Sequence, residues 1–219
     1  YDGLRGAGIE LVHAQAEDVD TRLRTVRLST GQTLGWDRLV LSPGVDMRWN
    51  ALEGYDEAAS LRAPHAWKAG PQTVALRKQL TDMADGGVYA ISIPKVPYRC
   101  PPGPYERACM VASYLKTAKP RSKLLVLDAN PEVQSKKALF EKAFSQHYAG
   151  LLEYRANSEL KEVSNGGKLA KLEFEDIKAD VLNVVPPQRA ADIAVAAGLV
   201  NMNQRWVGVN WQTMESTAV

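Results

Sequence analysis

Cys100 and Cys109 are the only two cysteines of the 219-residue chain, and Cys100 lies in a proline-rich loop just before a predicted helix. A thiol near a helix N-terminus and beside Arg99 is expected to be more often a thiolate and therefore more nucleophilic. For a single cysteine the ordinary alternative is a buried structural thiol. The rigid setting outweighs that alternative, because rigid and strained segments are common at working sites. We therefore predict that Cys100 is a reactive nucleophile.

Glu106 and Cys109 lie on the predicted helix that follows the loop. Glu106 is close enough in sequence to donate or accept a proton at Cys100. An equally good interpretation is a first-turn carboxylate that stabilises the helix dipole. Cys109 lies between Ala108 and Met110 and is predicted to be a packed core thiol. A disulfide between the two cysteines needs Cα atoms within about 7 Å, which this spacing permits without favouring.

The loop itself, residues 94–104, contains five prolines and a single glycine. In a dinucleotide-binding domain the equivalent loop is glycine-rich, which lets the backbone approach the pyrophosphate. Proline removes the N–H donors and adds bulk where close approach is needed. Asp128, after the next strand, has the position of a ribose-binding acid, but it means little without the glycine loop. The sequence predicts the dinucleotide-binding fold without NAD.

The elements around this loop have the order of an α/β protein. Strand 88–93, helix 105–116 and strand 123–127 form a βαβ unit, which builds a parallel sheet. Further helices are predicted over residues 67–82, 131–148 and 190–197. Further strands are predicted over residues 9–13, 25–28, 34–36, 39–41, 151–154, 169–174 and 177–185. Tight turns are predicted at residues 29–33 and 165–167, and a linker or domain crossing around residues 51–64.

The composition excludes several classes of protein. The net charge of +2 gives no reason to expect a nucleic-acid partner. No stretch approaches the roughly 18 to 20 apolar residues of a membrane span. The three histidines share no ligand spacing with the cysteines, so no metal site is predicted. A basic cluster at residues 116–123 is interpreted as a solvated helix end. The first residues contain no initiator Met and no signal-peptide pattern, which suggests a trimmed chain.

Residues 97–108, with the sequence PYRCPPGPYERA, resemble the redox-cysteine segment of the flavoprotein subunit of flavocytochrome c sulfide dehydrogenase. Residues 39–45, 184–190 and 206–216 resemble other segments of the same family in the same order. More distantly, the layout is similar to sulfide:quinone oxidoreductases and to the disulfide reductase superfamily. The resemblance covers nearly the whole chain, and the cysteine segment carries most of its specificity.

The resemblance implies two FAD/NAD(P)-binding Rossmann-like domains. Residues 1–55 would be part of an incomplete FAD-binding domain, residues 56–188 an NAD-like domain without a glycine-rich phosphate loop, and residues 189–219 the return into the FAD-binding domain. It further implies oxidation of sulfide to sulfur or polysulfide in the periplasm, with electrons passing through FAD to a cytochrome c subunit. In that scheme Cys100 is one half of a redox-active cysteine pair. The turn at Ser42, Pro43 and Gly44 would contact the FAD, although a plain strand-to-loop turn would have the same sequence.

Several family features do not occur in residues 1–219. These are the amino-terminal GxGxxG segment, the cysteine that attaches the flavin covalently, the carboxy-terminal Gly-Asp motif and the second redox cysteine. The chain is therefore expected to be a central fragment that neither holds FAD tightly nor turns over alone. The alternative is a non-catalytic platform that keeps the fold without the flavin chemistry. A quinone acceptor would call for amphipathic membrane-binding segments, and the sequence contains none.

Overall fold

The computed structural model of the protein describes residues 2–218. These residues form two compact units. The central unit is Met47–Gln188, and the split unit comprises the residues up to Asp46 together with those from Arg189 onward. The stretch 51–64, predicted as a linker, lies inside the central unit. Tyr55, Ala59 and Ala63 are buried there in a core cluster with sheet residues such as Leu127, because apolar side chains at these positions can be covered by the sheet.

The helices and strands are short apart from two helices of the central unit. The helices are α1 Asp2–Arg5, α2 Pro71–Asp82, α3 Gly103–Ala118, α4 Lys137–Lys142 and α5 Asp192–Ala196. The strands are β1 Ala16–Asp20, β2 Thr25–Leu28, β3 Thr33–Gly35, β4 Val45–Met47, β5 Val88–Ile93, β6 Lys123–Asp128, β7 Leu152–Arg155, β8 Glu162–Ser164, β9 Leu169–Lys171, β10 Asp176–Lys178, β11 Val181–Val184, β12 Gln188–Ala190, β13 Val200–Met202 and β14 Trp206–Val207.

A four-stranded parallel sheet forms the centre of the central unit, with the strand order β11-β5-β6-β7. Its strands are nearly continuous apolar runs, because both faces of a parallel sheet are covered. Strand β5 pairs with β6 over its whole length, from Val88 opposite Lys123 to Ile93 opposite Asp128. The predicted βαβ unit is thus confirmed, and so is the α/β fold class. A three-stranded antiparallel sheet, β8-β9-β10, follows, with the predicted turn at Asn165–Gly167 between β8 and β9.

Helix α3 packs one face on strands β5 and β6 of the parallel sheet. Tyr105, Ala108, Ala112 and Leu115 recur at the spacing of one helical face and are almost fully buried. The basic cluster after the helix is not simply solvated. The ammonium group of Lys119 is buried and donates to the carbonyl oxygens of two residues at the end of α2, because the unpaired carbonyls of a helix end attract a cation.

The predicted helix 131–148 begins later than expected. Regular helix starts at Lys137, preceded by Lys136 with a φ of +50°, and a π-helical turn at Ala143–His147 continues α4. Residues 131–135 stay irregular because a helix cannot propagate backward through a residue in the left-handed region. In this part of the chain Val133 is nevertheless buried in the core.

The split unit contains the antiparallel sheet β1-β2-β3, the pair β13 and β14, and α5. The predicted tight turn between β2 and β3 is present, with Gly31 at a φ of +83°. Residues 9–13 and 39–41 are not strands. Val40 is 89% exposed where a buried strand was predicted. None of the strands described for residues 2–218 pairs with either stretch, and an apolar run becomes a strand only beside a neighbour that supplies hydrogen bonds.

Candidate active site around Cys100

Cys100 lies between β5 and α3, at the carboxyl end of the parallel sheet, where open α/β sheets bind their ligands. Its thiol is free and exposed. Its backbone is in the left-handed region with a φ of +61°, which residues other than glycine rarely adopt. Its carbonyl oxygen accepts a hydrogen bond of 2.9 Å from the N–H of Gly103 and so closes the turn that begins α3. The sulfur is therefore presented on a defined and unusual turn.

Both backbone polar groups of Arg99, the residue before Cys100, are hydrogen-bonded. The N–H of Arg99 donates to Oε1 of Gln188 at 2.9 Å, and its carbonyl oxygen accepts from Nε1 of Trp67 at 3.2 Å. Gln188 is fully buried. Because both polar groups of residue 99 are bonded to side chains from distant parts of the central unit, the loop at Cys100 is set by tertiary contacts.

Two more side chains bond the proline-rich loop. The hydroxyl of Tyr98 donates to the carbonyl oxygen of Pro101 at 3.3 Å, and Oδ1 of Asn130 accepts from the N–H of Val96 at 3.1 Å. Burial raises the pKa of Tyr98 to about 12, so this hydroxyl keeps its proton at neutral pH. Asn130 thus fastens the loop near its start, and Tyr98 bridges two residues within it.

The sulfur of Cys100 and the indole ring of Trp67 both lie against Gly103. A Cβ atom at residue 103 would lie 3.0 Å from Cη2 of Trp67 and 3.1 Å from Sγ of Cys100. Only a residue without a side chain allows both groups to approach this closely. Trp67 thus forms one wall beside the thiol.

Arg107 holds the segment from which Trp67 projects. Its guanidinium donates to the carbonyl oxygens of His65 and Ala66 at 2.8 and 2.6 Å, and to Oδ1 of Asn183 at 3.0 Å. It also stacks over the ring of Trp67, with 4.9 Å from Cζ to the ring centroid. Burial lowers the pKa of Arg107, but an arginine remains charged at any physiological pH. A partly buried cation therefore fastens α3 to residues 65–67.

His65 completes this cluster as a neutral ring. Burial lowers its pKa to about 4, and the positive charges of Lys68 and Arg107 add to the effect. Its Nδ1 atom accepts a hydrogen bond of 2.9 Å from the N–H of Trp67, which requires an unprotonated Nδ1. Sequence reasoning singled out neither Trp67 nor His65, because no local pattern marks them. Arg107 lies within the segment of residues 97–108 that carried the family resemblance.

Glu106 and Cys109 share a face of α3, three residues apart. Glu106 is exposed on the first turn. Cys109 is partly buried against the core cluster, and burial, followed by the negative charge of Glu106, raises its pKa. The prediction that Cys109 packs in the core is confirmed. Both cysteines are free, so no disulfide joins them.

Asp128 is completely buried and its carboxylate is fully used inside the protein. Oδ2 accepts from the hydroxyls of Tyr105 and Tyr154 at 2.7 and 2.9 Å. Oδ1 accepts from the backbone N–H and the side-chain amide of Asn130 at 2.9 and 2.8 Å. Burial, with the hydrogen bonds to Asp128, raises the pKa of Tyr154 above its usual range. Asp128, at the end of β6, therefore links residues of the core through its hydrogen bonds.

Ser42 and Pro43 belong to the split unit, as does Gly44. All three are exposed, and Gly44 has a φ of +79°. Ser42 and Pro43 line a cavity of about 570 Å³, to which Asp46 also contributes. Oδ2 of Asp46 accepts a hydrogen bond of 2.9 Å from the N–H of Asp192. The remaining lining residues are Gln15, Ala16, Leu41, Ala191, Asp192 and Ile193. Cys100 and Glu106 lie together in the central unit, whereas these cavity residues lie in the other unit.

Two predicted absences concern the whole described chain. Over residues 2–218 no group of three or more His, Cys, Asp or Glu side chains is placed to hold a metal ion. Within the same range no helix is both long and apolar enough to cross a bilayer.

Comparison with known proteins places this geometry in context. The family model described as "Sulfide dehydrogenase [flavocytochrome c] flavoprotein chain, central" matches residues 73–186, more than half of the chain. The sulfide:quinone oxidoreductase of Aquifex aeolicus is similar in structure, with a TM-score of 0.74, 20% sequence identity, and coverage of 94% of this chain and 50% of that one.

Two further solved structures are similar over the full length of the chain. The ferredoxin reductase for the CYP199A2 system of Rhodopseudomonas palustris has a TM-score of 0.66 at 14% identity, covering 100% of this chain and 56% of that one. The flavoprotein disulfide reductase RclA of Escherichia coli has a TM-score of 0.58 at 14% identity, covering 99% and 47%. The chain thus spans about half the length of the structures it matches. At these identities the similarity is one of fold, that of the FAD/NAD(P)-binding oxidoreductases, as the sequence predicted.

Proposed function

The chain belongs to the family of the flavocytochrome c sulfide dehydrogenase flavoprotein chain, a family of FAD-dependent oxidoreductases, and we propose that it takes part in the oxidation of sulfide to sulfur or polysulfide. The observation that carries the proposal is the thiol of Cys100. It is exposed and free, it lies on a left-handed turn fastened to the core, and it falls within the matched residues. A nucleophilic sulfur that is both accessible and fixed in place suits thiol–disulfide exchange.

In the proposed reaction Cys100 forms a disulfide with a cysteine outside residues 1–219. A hydrosulfide ion attacks Sγ of Cys100. A new S–S bond forms, the bond to the partner cysteine breaks, and the partner leaves as a thiolate that carries the electron pair. Cys100 is left as a persulfide. Bound FAD would supply the acceptor for that electron pair and pass the electrons on one at a time.

Glu106 is the proposed proton acceptor in this step. The attacking hydrosulfide brings a proton, which the Cys100 persulfide loses to become a persulfide anion. Glu106 is exposed on the first turn of α3, the helix that begins three residues after Cys100. If Glu106 accepts this proton, Glu106→Gln will lower turnover at neutral pH. A carboxylate that only stabilises the helix dipole would change stability alone.

The cavity at Ser42 and Pro43 fits part of a flavin cofactor. Its lining includes two carboxylates and a hydroxyl but no lysine or arginine. Carboxylates accept hydrogen bonds from the hydroxyls of a ribityl or ribose chain and would repel a pyrophosphate. We therefore assign Ser42, Pro43 and Asp46 to the hydroxyl-bearing part of FAD. Gly44 would shape the turn beside it through its positive φ.

NAD is not part of the proposed reaction. The loop of residues 94–104 offers few backbone N–H donors because five of its residues are prolines. Asp128, which would bind a ribose in a nucleotide-binding domain, already accepts four hydrogen bonds inside the core. The backbone donors that would bind the phosphates of a dinucleotide are therefore few, and the acid that would bind its ribose is already hydrogen-bonded.

A cytochrome c subunit is the proposed electron acceptor, and the periplasm the proposed location. The first proposal is supported by the name of the matched family, which describes a flavocytochrome c, and the second is what the resemblance of residues 97–108 to that family implies. Redox partners of this kind bind through small, weak interfaces. Reduction of an added cytochrome c, followed by its absorbance, tests the first proposal directly.

The decisive experiment uses the longest native polypeptide that contains this chain. Purified from its source, it is expected to be yellow, and sulfide is expected to bleach its flavin absorbance. Cys100→Ser should reduce the rate of bleaching by a factor of 10³ or more, since the nucleophile is lost. Cys109→Ser is the matched control and should retain the rate. A colourless native protein would favour the platform function, and full activity of Cys100→Ser would refute the role of Cys100.

A further inference from the structure

The left-handed turn at Cys100 requires support from outside the loop. An L-residue at a φ of +61° has its Cβ atom crowded against the following backbone. Such a conformation persists only where surrounding contacts hold it. The nearest such contacts act on Arg99, whose two backbone polar groups are bonded to Trp67 and Gln188.

Trp67 is placed to do more than fill space. Its indole N–H bonds the carbonyl oxygen of Arg99 at 3.2 Å, and this carbonyl belongs to the peptide unit that leads directly into Cys100. The far edge of the same ring lies against Gly103, where the sulfur of Cys100 also lies. One side chain therefore touches the turn before the thiol and the turn after it.

Trp67 is itself immobilised by charged and polar groups. Arg107 stacks over its ring and bonds the carbonyl oxygens of the two residues that precede it. The backbone N–H of Trp67 donates to His65. Arg107 is on α3, whose first turn follows Cys100. The contacts therefore form a closed loop, because α3 carries Arg107, Arg107 holds Trp67, and Trp67 bonds the turn at Cys100 from which α3 starts.

We propose that Trp67 is the positioning residue for Cys100, with its indole N–H holding the left-handed turn that exposes the sulfur. The inference rests on the reactive role proposed for Cys100 above. It concerns the conformation of the turn, and can therefore be tested without flavin or sulfide.

The first measurement is spectroscopic. A residue with positive φ has a short distance between its own amide proton and Hα, which gives a strong intraresidue NOE. In ¹⁵N-labelled chain this signal is expected to be strong for Cys100. In Trp67→Phe, which keeps an aromatic ring but loses the N–H, the signal should weaken as the turn relaxes toward negative φ. Trp36→Phe is the matched control, because the indole nitrogen of Trp36 has no hydrogen-bond partner among residues 2–218.

The second measurement is the reactivity of the thiol. With 4,4′-dithiodipyridine the Cys100 thiolate attacks one sulfur, forms a mixed disulfide and releases one thiopyridone, which is followed by its absorbance. The experiment uses Cys109→Ser throughout so that one thiol is counted. We expect Trp67→Phe to react roughly five-fold more slowly, the factor that corresponds to one net hydrogen bond, because the sulfur leaves its exposed position part of the time. Trp36→Phe should react like the parent.

A second variant keeps the test decisive if Trp67→Phe does not fold. Trp67→benzothienylalanine has the same ring shape and lacks only the N–H donor, and it should show the same weaker NOE and slower reaction. An unchanged NOE together with an unchanged rate in a folded variant overturns the proposal, as does an equal loss in Trp36→Phe. Inactivity of the whole protein toward sulfide would instead refute the proposed function and leave this geometry standing.

Discussion

Acid should destabilise this protein through His65 in particular. The ring is buried, with 6% of its surface exposed, and its pKa falls from 6.5 to about 4 on folding. Its Nδ1 accepts a hydrogen bond from Trp67, and the cations of Lys68 and Arg107 oppose a further positive charge. The unfolded chain therefore binds a proton at this histidine more readily than the folded protein does.

The direction and size of this pH effect on stability follow from the difference between the folded and unfolded pKa values of His65. Because the folded pKa lies below the unfolded pKa, His65 contributes its full stability above pH 6.5, and that contribution is lost as the pH falls toward 4. At roughly 1.4 kcal/mol for each unit of difference between the two pKa values, the loss is about 3 kcal/mol. The contribution is a large fraction of the 5 to 15 kcal/mol that typically stabilises a domain.

Urea unfolding, followed by circular dichroism at several pH values between 4 and 7, measures the effect. His65→Asn keeps an acceptor oxygen near the position of Nδ1 but cannot titrate. Its free energy of unfolding should therefore fall less steeply with acid than that of the parent, by about 3 kcal/mol over this range. His147→Asn, at an exposed histidine, is the control. Its free energy of unfolding should follow the parent curve, which contains the acid dependence that comes from the carboxylates. Parallel curves for the parent and His65→Asn would refute the reasoning.

Three further predictions test the core and the helix ends. Gly103→Ala should lower the free energy of urea unfolding by about 1 to 3 kcal/mol, since the new Cβ atom would meet the indole of Trp67 and the thiol of Cys100. The control Gly35→Ala, whose Cβ atom would meet nothing within 4 Å, should lower it by less than about 0.5 kcal/mol. Asp128→Asn should lower the thermal midpoint through a loss of about 3 kcal/mol, because the buried site offers more donors than one amide oxygen can accept; an unchanged midpoint would show that the network is not stabilising. Lys119→Met should lower the free energy of unfolding by about 1 to 2 kcal/mol, because the carbonyls at the end of α2 lose their cation. The control Lys78→Met, at an exposed lysine of α2, should lower it by less than half as much.

Much of the central unit follows from local sequence. Strand β5 has the predicted bounds, α3 is two residues longer than predicted at each end, and β6 begins as predicted and ends one residue later. These elements are long apolar runs or regular helical faces separated by proline and glycine, so local periodicity determines them. The family resemblance was also present in the sequence, because it rests on a contiguous segment around Cys100.

Two of the wrong predictions share one cause. Residues 39–41 form an apolar run that is exposed rather than part of a strand, since a strand needs a partner that the run itself cannot specify. Residues 51–64 contain little periodicity and were predicted as a linker, yet Tyr55 is buried with its hydroxyl bonded to a backbone carbonyl. Tertiary contacts decide such segments.

The candidate site divides in the same way. The sequence by itself determined that Cys100 lies in a stiff loop before a helix, since residue types and prolines act locally, and it predicted a nucleophilic role for this thiol. Only the tertiary structure decided what surrounds the thiol. Trp67, His65 and Gln188 come from positions 33 or more residues away, and Asp128 proved to be an anchor of the core rather than an available ligand. Hydrogen bonds and packing between distant residues leave no periodic mark in a sequence, so they become visible only when the chain is folded.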